Sequence, residues 1–248
     1  MDSQPRTALV TGASSGIGAA TVRSLAAAGF QTVAAARRLE RCEALAAEVG
    51  GRALALDVTD PGSVDALAGA LDEVALVVHS AGGALGLEPI EEFDEEHWRQ
   101  MYESNVLGVA RVTKALLPAL ERSGNGHVIV IGSISGVEVY PGGGGYTAAK
   151  HAAHAVCRTL RLELLGRPVR VTEIAPGLVE TEFSLVRFDG DAERAAGVYR
   201  GLQPLTSDDV AEVVAFAATR PAHVNVDYVE VKPLAQATAL LSDRSNRV

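Results

Sequence analysis

The stretch that decides the fold lies near the start of the chain, where residues 8–20 read ALVTGASSGIGAA. A strand-sized apolar run, Ala8 to Val10, enters a loop with glycines at positions 12, 16 and 18, and a helical pattern follows. Glycine permits a tight turn and lets backbone N–H groups approach a pyrophosphate at the start of the next helix. The loop therefore predicts dinucleotide binding through Gly12, Ser14, Ser15, Gly16, Ile17 and Gly18.

The same alternation of short apolar strands and longer helical segments continues through all 248 residues. Most of the strand candidates are uninterrupted apolar runs, which is typical of parallel strands covered by helices on both faces. The predicted strands are Ala8–Val10, Gln31–Ala36, Ala53–Leu56, Ala75–His79, His127–Ile131, Arg170–Ile174 and Asp227–Val231. We therefore expect a doubly wound α/β fold that forms one domain over residues 1–248, with seven parallel strands.

One stretch, residues 182–203, interrupts this alternation. It is polar and carries Gly190, Gly197 and Gly201. A long polar connection late in an α/β fold is typical of a loop that covers a substrate, so the sequence predicts a variable substrate loop or lid here. The cofactor half would then span about residues 1–130, and the catalytic and substrate half about residues 131–248.

Composition excludes several classes of protein. A net charge of −9 argues against binding to nucleic acids or anionic membranes. Six of the acidic residues lie in Glu88–Glu96, where a solvated helix start is expected. Only Cys42 and Cys157 are present, which predicts neither a disulfide framework nor a zinc site. The polar start Met1–Gln4 leads into no signal segment, so we expect a cytoplasmic protein without a metal.

Two histidines, His151 and His154, lie three residues apart on one predicted helix. A metal site would need a third ligand, and the sequence offers no obvious one. They are interpreted as surface or subunit-interface histidines.

The second predicted strand ends in Arg37 and Arg38, and these residues indicate which cofactor binds. An NAD site usually places an acidic residue here for the ribose 2′-hydroxyl, whereas a 2′-phosphate favours arginine. We therefore predict NADP(H), the alternative being two arginines that merely begin a surface helix. Asp57, followed by Val58, is placed to accept from the adenine amino group, although a turn aspartate has the same sequence pattern.

Tyr146 and Lys150 are four residues apart in the helical run Tyr-Thr-Ala-Ala-Lys, so they share one helix face. A tyrosine titrates near pH ~10, and lowering its pKa by ~3 units requires about 4 kcal/mol of phenolate stabilisation. A neighbouring cation supplies part of that energy. The pair therefore predicts an acid or base of catalysis.

With these features in place, the chain resembles the short-chain dehydrogenase/reductase family over essentially its whole length, which implies a Rossmann fold. Its motifs correspond to Thr11–Gly18, to His79-Ser80-Ala81-Gly82, to Asn105, to Ser133 thirteen residues before Tyr146, and to Pro176-Gly177 followed by Thr181. Further cofactor contacts are implied at Ser80, Ala81, Gly82, Tyr146, Lys150, Pro176, Gly177, Val179 and Thr181. The resemblance also implies a homotetramer or homodimer packed through helices at about residues 95–120 and 146–165.

The resemblance assigns catalytic roles. Tyr146 would exchange the proton of the substrate oxygen, and Ser133 would hydrogen-bond that oxygen; Ser135 competes for this role, but the family spacing selects Ser133. Lys150 would lower the pKa of Tyr146 and hold the nicotinamide ribose. Asn105 would belong to a water relay toward Lys150.

Several positions depart from the family pattern. His79 and Ser80 replace two asparagines, so a cofactor or strand-bridging contact there is expected to be weaker or rearranged. Ala175 stands where an asparagine is common. The run Gly142–Gly145 before Tyr146 predicts a loose wall on the substrate side.

A closer resemblance concerns the substrate. The runs at 176–179, 181–183, 186–188 and 220–226 are similar to NADP-dependent 3-hydroxy acid dehydrogenases that oxidise serine and allo-threonine. Arg187 is a candidate carboxylate clamp, with a solvated loop arginine as the alternative. The substrate would contact Ser133, Tyr146 and Arg187. The alternatives are a ketone or 3-oxoacyl reductase of broader specificity and a non-catalytic NADP-binding sensor.

Overall fold

The computed structural model describes residues 6–245, and its centre is a sheet of seven parallel strands. The strands are β1 (Thr7–Thr11), β2 (Gln31–Ala36), β3 (Arg52–Ala55), β4 (Leu76–His79), β5 (Gly126–Ile131), β6 (Val169–Pro176) and β7 (Tyr228–Val231). Their order across the sheet is β3-β2-β1-β4-β5-β6-β7. All seven predicted strands are present with ends that differ by at most two residues, so the predicted Rossmann fold is confirmed.

Helices cover both faces of the sheet. They are α1 (Gly16–Ala27), α2 (Leu39–Val49), α3 (Pro61–Gly69), α4 (Glu95–Tyr102), α5 (Gly108–Arg122), α6 (Gly144–Glu163), α7 (Glu182–Arg187), α8 (Ala192–Gly197) and α9 (Ser207–Ala218). Apolar side chains of α1, α2 and α9 pack on one face, and those of α3, α5 and α6 pack on the other. Each fully buried leucine or valine contributes about 1.5–3 kcal/mol, and strands with two buried faces need apolar residues throughout.

The order of the strands places a ligand crevice. β1 pairs with β2 on one side and with β4 on the other, so the connections after β1 and β4 leave the sheet in opposite directions. In open parallel sheets such a switch point opens a crevice at the carboxyl ends of the strands. The glycine loop follows β1 directly and therefore lies in this crevice.

The two long predicted helices are present with modified ends. Residues 95–122 are helical throughout, but Glu103–Leu107 form a π-helical turn between α4 and α5, and Asn105 lies in that turn. Asp94 caps α4 by accepting from the backbone of Glu96 and His97, in keeping with the expected solvated helix start. The second long helix, α6, begins at Gly144 and includes Tyr146.

The segment 182–203, predicted as a variable substrate loop or lid, contains two short helices, α7 and α8, and its role as a lid stays a prediction. Both helices are only six residues long and start at side-chain caps. Thr181 accepts from the backbone of Phe183, and Asp191 accepts from Glu193 and Arg194. Such short helices are specified by their capping side chains and not by an apolar periodicity, so the polar composition of the segment did not indicate them.

Within residues 6–245, no helix combines the length and the apolar composition that a bilayer span requires. The polar start Met1–Gln4, on which the prediction of no signal segment rests, lies outside the described residues.

Candidate active site

A cleft of about 1370 Å³ runs along the carboxyl ends of the strands, from the glycine loop to α6 and α7. It contains nearly every residue that the sequence nominated for cofactor, catalysis or substrate. The nominated residues that line it are Gly12, Ser14, Ser15, Gly16, Ile17, Gly18, Arg37, Arg38, Asp57, Val58, Ser80, Ala81, Gly82, Ser133, Tyr146, Lys150, Pro176, Gly177, Val179, Thr181 and Arg187. Only Asn105 among the nominated residues lies outside the lining.

The backbone of the glycine loop is so closely packed at Gly12 and Gly18 that it leaves no room for a larger side chain. Gly12 has φ +67°, and a Cβ atom there would come within 2.7 Å of the backbone of Ser80 and Ala81. A Cβ on Gly18 would collide with the backbone of Gly12. α1 starts without a side-chain cap and has no acidic residue in its first turn, which leaves its N-terminal dipole available to an anion. The loop and helix therefore fit a cofactor pyrophosphate.

Arg38 connects this loop to the opposite side of the cleft. Its guanidinium donates to the hydroxyls of Ser14 and Ser15 at 3.1 and 2.8 Å, and to Glu182 on α7 at 3.0 Å. Arg37 lines the same end of the cleft. Both arginines therefore line the cleft, and their contact with a 2′-phosphate stays a prediction.

The segment at His79 and Ser80 lies beside Thr11 at the end of β1. Thr11 Oγ1 accepts from the backbone N–H groups of Ser80 and Ala81, so the link between β1 and β4 uses the backbone. His79 is buried, and its Nε2 lies 2.9 Å from the Thr113 hydroxyl on α5.

The contacts of Asp57 are those of a turn aspartate, which was the alternative to an adenine contact. Its Oδ1 accepts from the backbone and the hydroxyl of Thr59, at 2.9 and 2.7 Å. The side chain thus stabilises the turn after β3, while the residue still lines the cleft.

Tyr146 and Lys150 lie together in the first turns of α6, both about nine-tenths buried. The Lys150 ammonium is 5.8 Å from the centre of the Tyr146 ring and donates to the Ile131 carbonyl oxygen at 3.0 Å. Burial lowers the pKa of Lys150 to about 8, although the nearby Glu173 carboxylate acts in the opposite direction. The ammonium is thereby fixed at the end of β5.

The surroundings of Tyr146 act on the pKa of its phenol in opposite directions. Burial raises the pKa of the phenol, and the opposing groups are the Ser133 hydroxyl and the Arg187 guanidinium. In this structure Tyr146 is therefore a protonated acid at neutral pH. The lowering of this pKa by Lys150 stays a prediction.

Ser133 follows β5 and lines the cleft, whereas Ser135 is buried behind it. The Ser133 hydroxyl accepts from the backbone N–H of Ser135 at 3.1 Å. This bond leaves the hydroxyl proton free to be donated toward Tyr146 or a substrate oxygen. The structure thus separates the two serines in favour of Ser133.

Asn105 supports the wall of the cleft from behind. Its amide nitrogen donates to the carbonyl oxygens of Met101 and Gly83, at 2.8 and 2.9 Å. Its Oδ1 is buried, has no hydrogen-bond partner among the described residues, and lies against Gly82. The water relay toward Lys150 stays a prediction.

Arg187, the last residue of α7, faces Tyr146. Its guanidinium carbon is 5.9 Å from the centre of the Tyr146 ring. Nε donates to the Gly86 carbonyl oxygen at 2.8 Å, and Nη1 donates to the Tyr140 hydroxyl at 3.0 Å. Nη2 is buried and has no partner within residues 6–245. The Arg187 guanidinium is therefore held in place by hydrogen bonds and keeps one donor nitrogen without a partner among the described residues. The alternative of a solvated loop arginine is wrong.

Two aromatic residues of the site were missed by sequence reasoning. Tyr140 orients Arg187, and the ring of Phe183 packs edge-on against Tyr146 with 5.5 Å between ring centres. Tyr140 belongs to no motif, and Phe183 was noted only as part of the run at 181–183, without a role in the site. The only signals were an aromatic residue just before the glycine run and another in the segment after Pro176-Gly177.

The expected loose wall at Gly142–Gly145 is wrong, because these glycines are closely packed. A Cβ on Gly143 would collide with the Tyr140 ring, and a Cβ on Gly145 would come within 2.6 Å of Trp98. The run lacks side chains because aromatic rings occupy their space.

The two histidines of α6 differ from each other. His151 is exposed, and its Nδ1 lies 2.8 Å from the Thr147 carbonyl oxygen. His154 is only partly exposed, and its Nδ1 lies 2.6 Å from the buried carboxylate of Glu173. The surface interpretation therefore fits His151, and the subunit-interface alternative stays a prediction.

Comparison with known proteins bears on this site. The family model for short chain dehydrogenases matches residues 6–190. The chain is 60% identical to an uncharacterised oxidoreductase of Mycobacterium tuberculosis over 94% of this chain and 93% of that protein. It is 45% identical to a sulfoacetaldehyde reductase of Chromohalobacter salexigens, over 92% and 94%. It is 41% identical to an NADP-dependent 3-hydroxy acid dehydrogenase of Salmonella typhi, over 94% and 97%.

Among solved structures, the closed form of a serine dehydrogenase complexed with NADP+ is similar with a TM-score of 0.91 and 38% identity. The match covers 95% of this chain and 98% of that chain. The resemblance found in the motifs is thereby confirmed. With the family model matching most of its length, the chain belongs to the short chain dehydrogenase family and is an oxidoreductase of that family.

Proposed function

We propose that the protein uses NADP(H) to interconvert a secondary alcohol and a carbonyl on a small substrate that carries an acid group, a 3-hydroxy acid above all. The observation that carries this proposal is Arg187. Its Nη2 is a buried donor without a partner in the described structure, beside Tyr146. An unsatisfied buried donor is costly, and a bidentate acid group is the ligand that a guanidinium prefers.

The acid group can be a carboxylate or a sulfonate. The names of two relatives, a 3-hydroxy acid dehydrogenase and a sulfoacetaldehyde reductase, both describe small molecules with an acid group. Arg187 would bind either anion by the same geometry. A sulfonated aldehyde, whose reduction would give a primary instead of a secondary alcohol, is therefore a second candidate substrate.

NADP(H) fits the cofactor half. The uncapped start of α1 suits the pyrophosphate, and Arg37 and Arg38 suit the 2′-phosphate. When bound, the nicotinamide supplies or accepts the hydride. The names of a relative and of a similar structure include NADP, in agreement with this choice.

The residues of α6 and β5 would manage the proton. In the reducing direction, the Tyr146 phenol donates its proton to the carbonyl oxygen as that oxygen gains charge. The Ser133 hydroxyl donates a hydrogen bond to the same oxygen. Arg187 binds the acid group and so fixes the distance between the carbonyl and Tyr146. In the oxidising direction, Tyr146 must first lose its proton, so oxidation is expected to rise with pH.

The test is NADPH oxidation with a panel of β-keto acids, sulfoacetaldehyde, uncharged ketones and acyl thioesters, with serine and allo-threonine in reverse. We expect Arg187→Ala to raise KM for acidic substrates by about 10- to 100-fold, because a charge-assisted bidentate contact is lost. The KM for an uncharged ketone should stay the same.

The matched control is Arg200→Ala, which removes an exposed arginine of the same segment. An unchanged KM for acids in Arg187→Ala would contradict the acid-group assignment. Preference for uncharged ketones or acyl thioesters would favour the broader reductase. Absence of turnover on every substrate would favour the sensor.

A further inference from the structure

Glu182 joins the substrate side of the cleft to the cofactor side. It is the first residue of α7, and its two carboxylate oxygens accept from two arginines that follow β2. Oε2 accepts from Arg38 Nη1 at 3.0 Å, and Oε1 accepts from Arg41 Nη1 at 2.9 Å. Arg38 and Glu182 are 144 residues apart in the sequence. The tertiary structure therefore brings a carboxylate to two arginines at the start of α2.

The Glu182 carboxylate lies beside groups that could bind an anionic ligand. Arg38 also donates to the hydroxyls of Ser14 and Ser15 in the glycine loop. The preceding residue, Thr181, lies directly over this loop, because a Cβ on Gly16 would touch the Thr181 side chain at 3.4 Å. Glu182 is therefore held at the place where the phosphate side of a dinucleotide would enter.

The charge of Glu182 matters to that site. Hydrogen bonds from Arg41 and Arg38 lower the pKa of the Glu182 carboxyl, so it is ionised at neutral pH. Within residues 6–245, the only salt bridges of Arg38 and Arg41 are those with Glu182. The positive charge expected to select a 2′-phosphate is thus partly neutralised by the protein itself.

The ion pairs of Glu182 with Arg38 and Arg41 are also weak enough for another anion to replace the carboxylate. The side chains of Arg38, Arg41 and Glu182 are 46%, 51% and 43% exposed. Ion pairs at such exposure contribute little, and a dianionic phosphate attracts a guanidinium more strongly than one carboxylate does. A ligand phosphate can therefore replace Glu182 on Arg38.

We propose that Glu182 is an internal competitor of the cofactor's 2′-phosphate for Arg38 and Arg41, and so sets the affinity of the cleft for phosphorylated cofactor. The inference rests on the proposed NADP(H) dependence. It makes Glu182 a specificity residue that lies outside the cofactor half and reduces the attraction of the arginines for a 2′-phosphate. A cofactor without the 2′-phosphate would leave Glu182 in place.

The test uses nucleotides that lack the nicotinamide, so that catalysis is not required. Binding of 2′,5′-ADP and of ADP is measured by titration calorimetry for the wild type and for Glu182→Gln. We expect Glu182→Gln to bind 2′,5′-ADP about three- to tenfold more tightly, because two exposed ion pairs no longer compete. Binding of ADP should change by less than about twofold.

The matched control is Glu180→Gln, which removes the same charge from an exposed residue two positions earlier. Its affinity for 2′,5′-ADP should equal that of the wild type within about twofold. Because Glu182 is exposed, both variants should fold, and their melting curves check this.

Two unfavourable results can be told apart. If the wild type prefers 2′,5′-ADP but Glu182→Gln binds it no more tightly, Glu182 is not a competitor, and the NADP(H) proposal stands. If the wild type binds ADP and 2′,5′-ADP equally, there is no selection for a 2′-phosphate, and both the NADP(H) proposal and this inference are overturned.

Discussion

At the scale of single residues, the proposed chemistry depends on how Tyr146 exchanges a proton while buried. Burial raises the pKa of its phenol, and Ser133 and Arg187 act in the opposite direction without cancelling this effect. The phenol is therefore protonated at neutral pH. A protonated phenol next to a free serine hydroxyl is suited to carbonyl reduction. The reverse reaction needs the phenolate, so alkaline pH should favour oxidation.

Tyr146→Phe should lower kcat by about 10²- to 10⁴-fold, because it removes the proton donor and leaves the ring in place. NADPH should still bind within about twofold of the wild type, since its phosphates are expected at the other end of the cleft. Initial rates and a fluorescence titration measure the two quantities. Tyr228→Phe, on β7 and outside the cleft lining, is the control. Turnover retained in Tyr146→Phe would refute the catalytic assignment.

At the scale of elements, two buried histidines tie neighbouring elements together. His79 on β4 contacts the Thr113 hydroxyl of α5 at 2.9 Å, and His127 on β5 contacts the Thr172 hydroxyl of β6 at 2.7 Å. Both are at most 3% exposed. Burial lowers the pKa of His79 to about 4 and that of His127 to about 3. Both rings are neutral in the folded protein.

This burial predicts a loss of stability in acid. An unfolded histidine titrates near pH ~6.5, so below that pH the unfolded state binds protons that the folded state does not. The stability contributed by each neutral ring is complete above pH ~6.5 and is lost as the pH falls toward the folded pKa. At pH 5.5 each histidine should lower the free energy of unfolding by about 1.4 kcal/mol.

Denaturant unfolding between pH 7 and 5 measures this effect. His79→Asn should reduce the loss of stability over that range, whereas His223→Gln, which changes an exposed histidine, should leave it unchanged. Equal pH slopes for the wild type and His79→Asn would show that His79 is not responsible.

The elements also show where prediction from sequence stops. The strands and long helices were predicted because apolar runs and the helical period mark them directly. The π-helical turn at Asn105 and the short helices α7 and α8 were not, because a single side chain or cap specifies each of them.

At the scale of the whole molecule, cofactor binding should stabilise the fold. A ligand at 100 times its Kd adds about 2.7 kcal/mol to the free energy of unfolding. At equal concentrations NADPH should therefore raise Tm more than NADH, because Arg37 and Arg38 would contact only the phosphorylated cofactor. Thermal unfolding followed by fluorescence measures both shifts.

Replacing Arg37 and Arg38 together with glutamine should remove the difference between the two cofactors. Arg52→Gln, an exposed arginine on β3, is the control and should keep the difference. Equal shifts by NADPH and NADH in the wild type would contradict the NADP(H) proposal. The homotetramer or homodimer and the cytoplasmic location stay predictions.

The sequence by itself determined the fold class, the dinucleotide loop and the set Ser133, Tyr146 and Lys150. These features depend on local rules: glycines where a backbone must turn closely, apolar runs where both faces are buried, and fixed spacings along a strand or helix. Such rules act over a few residues and can be read along the chain.

Only the tertiary structure decided what surrounds that chemistry. Arg187 is held by Gly86, 101 residues away, and Arg38 is paired with Glu182, 144 residues away. The free donor beside Tyr146 and the carboxylate on Arg38 both result from these distant contacts. Packing brings such residues together, and no local pattern encodes the pairing, so the sequence indicated the chemistry and the tertiary structure decided which side chains surround it.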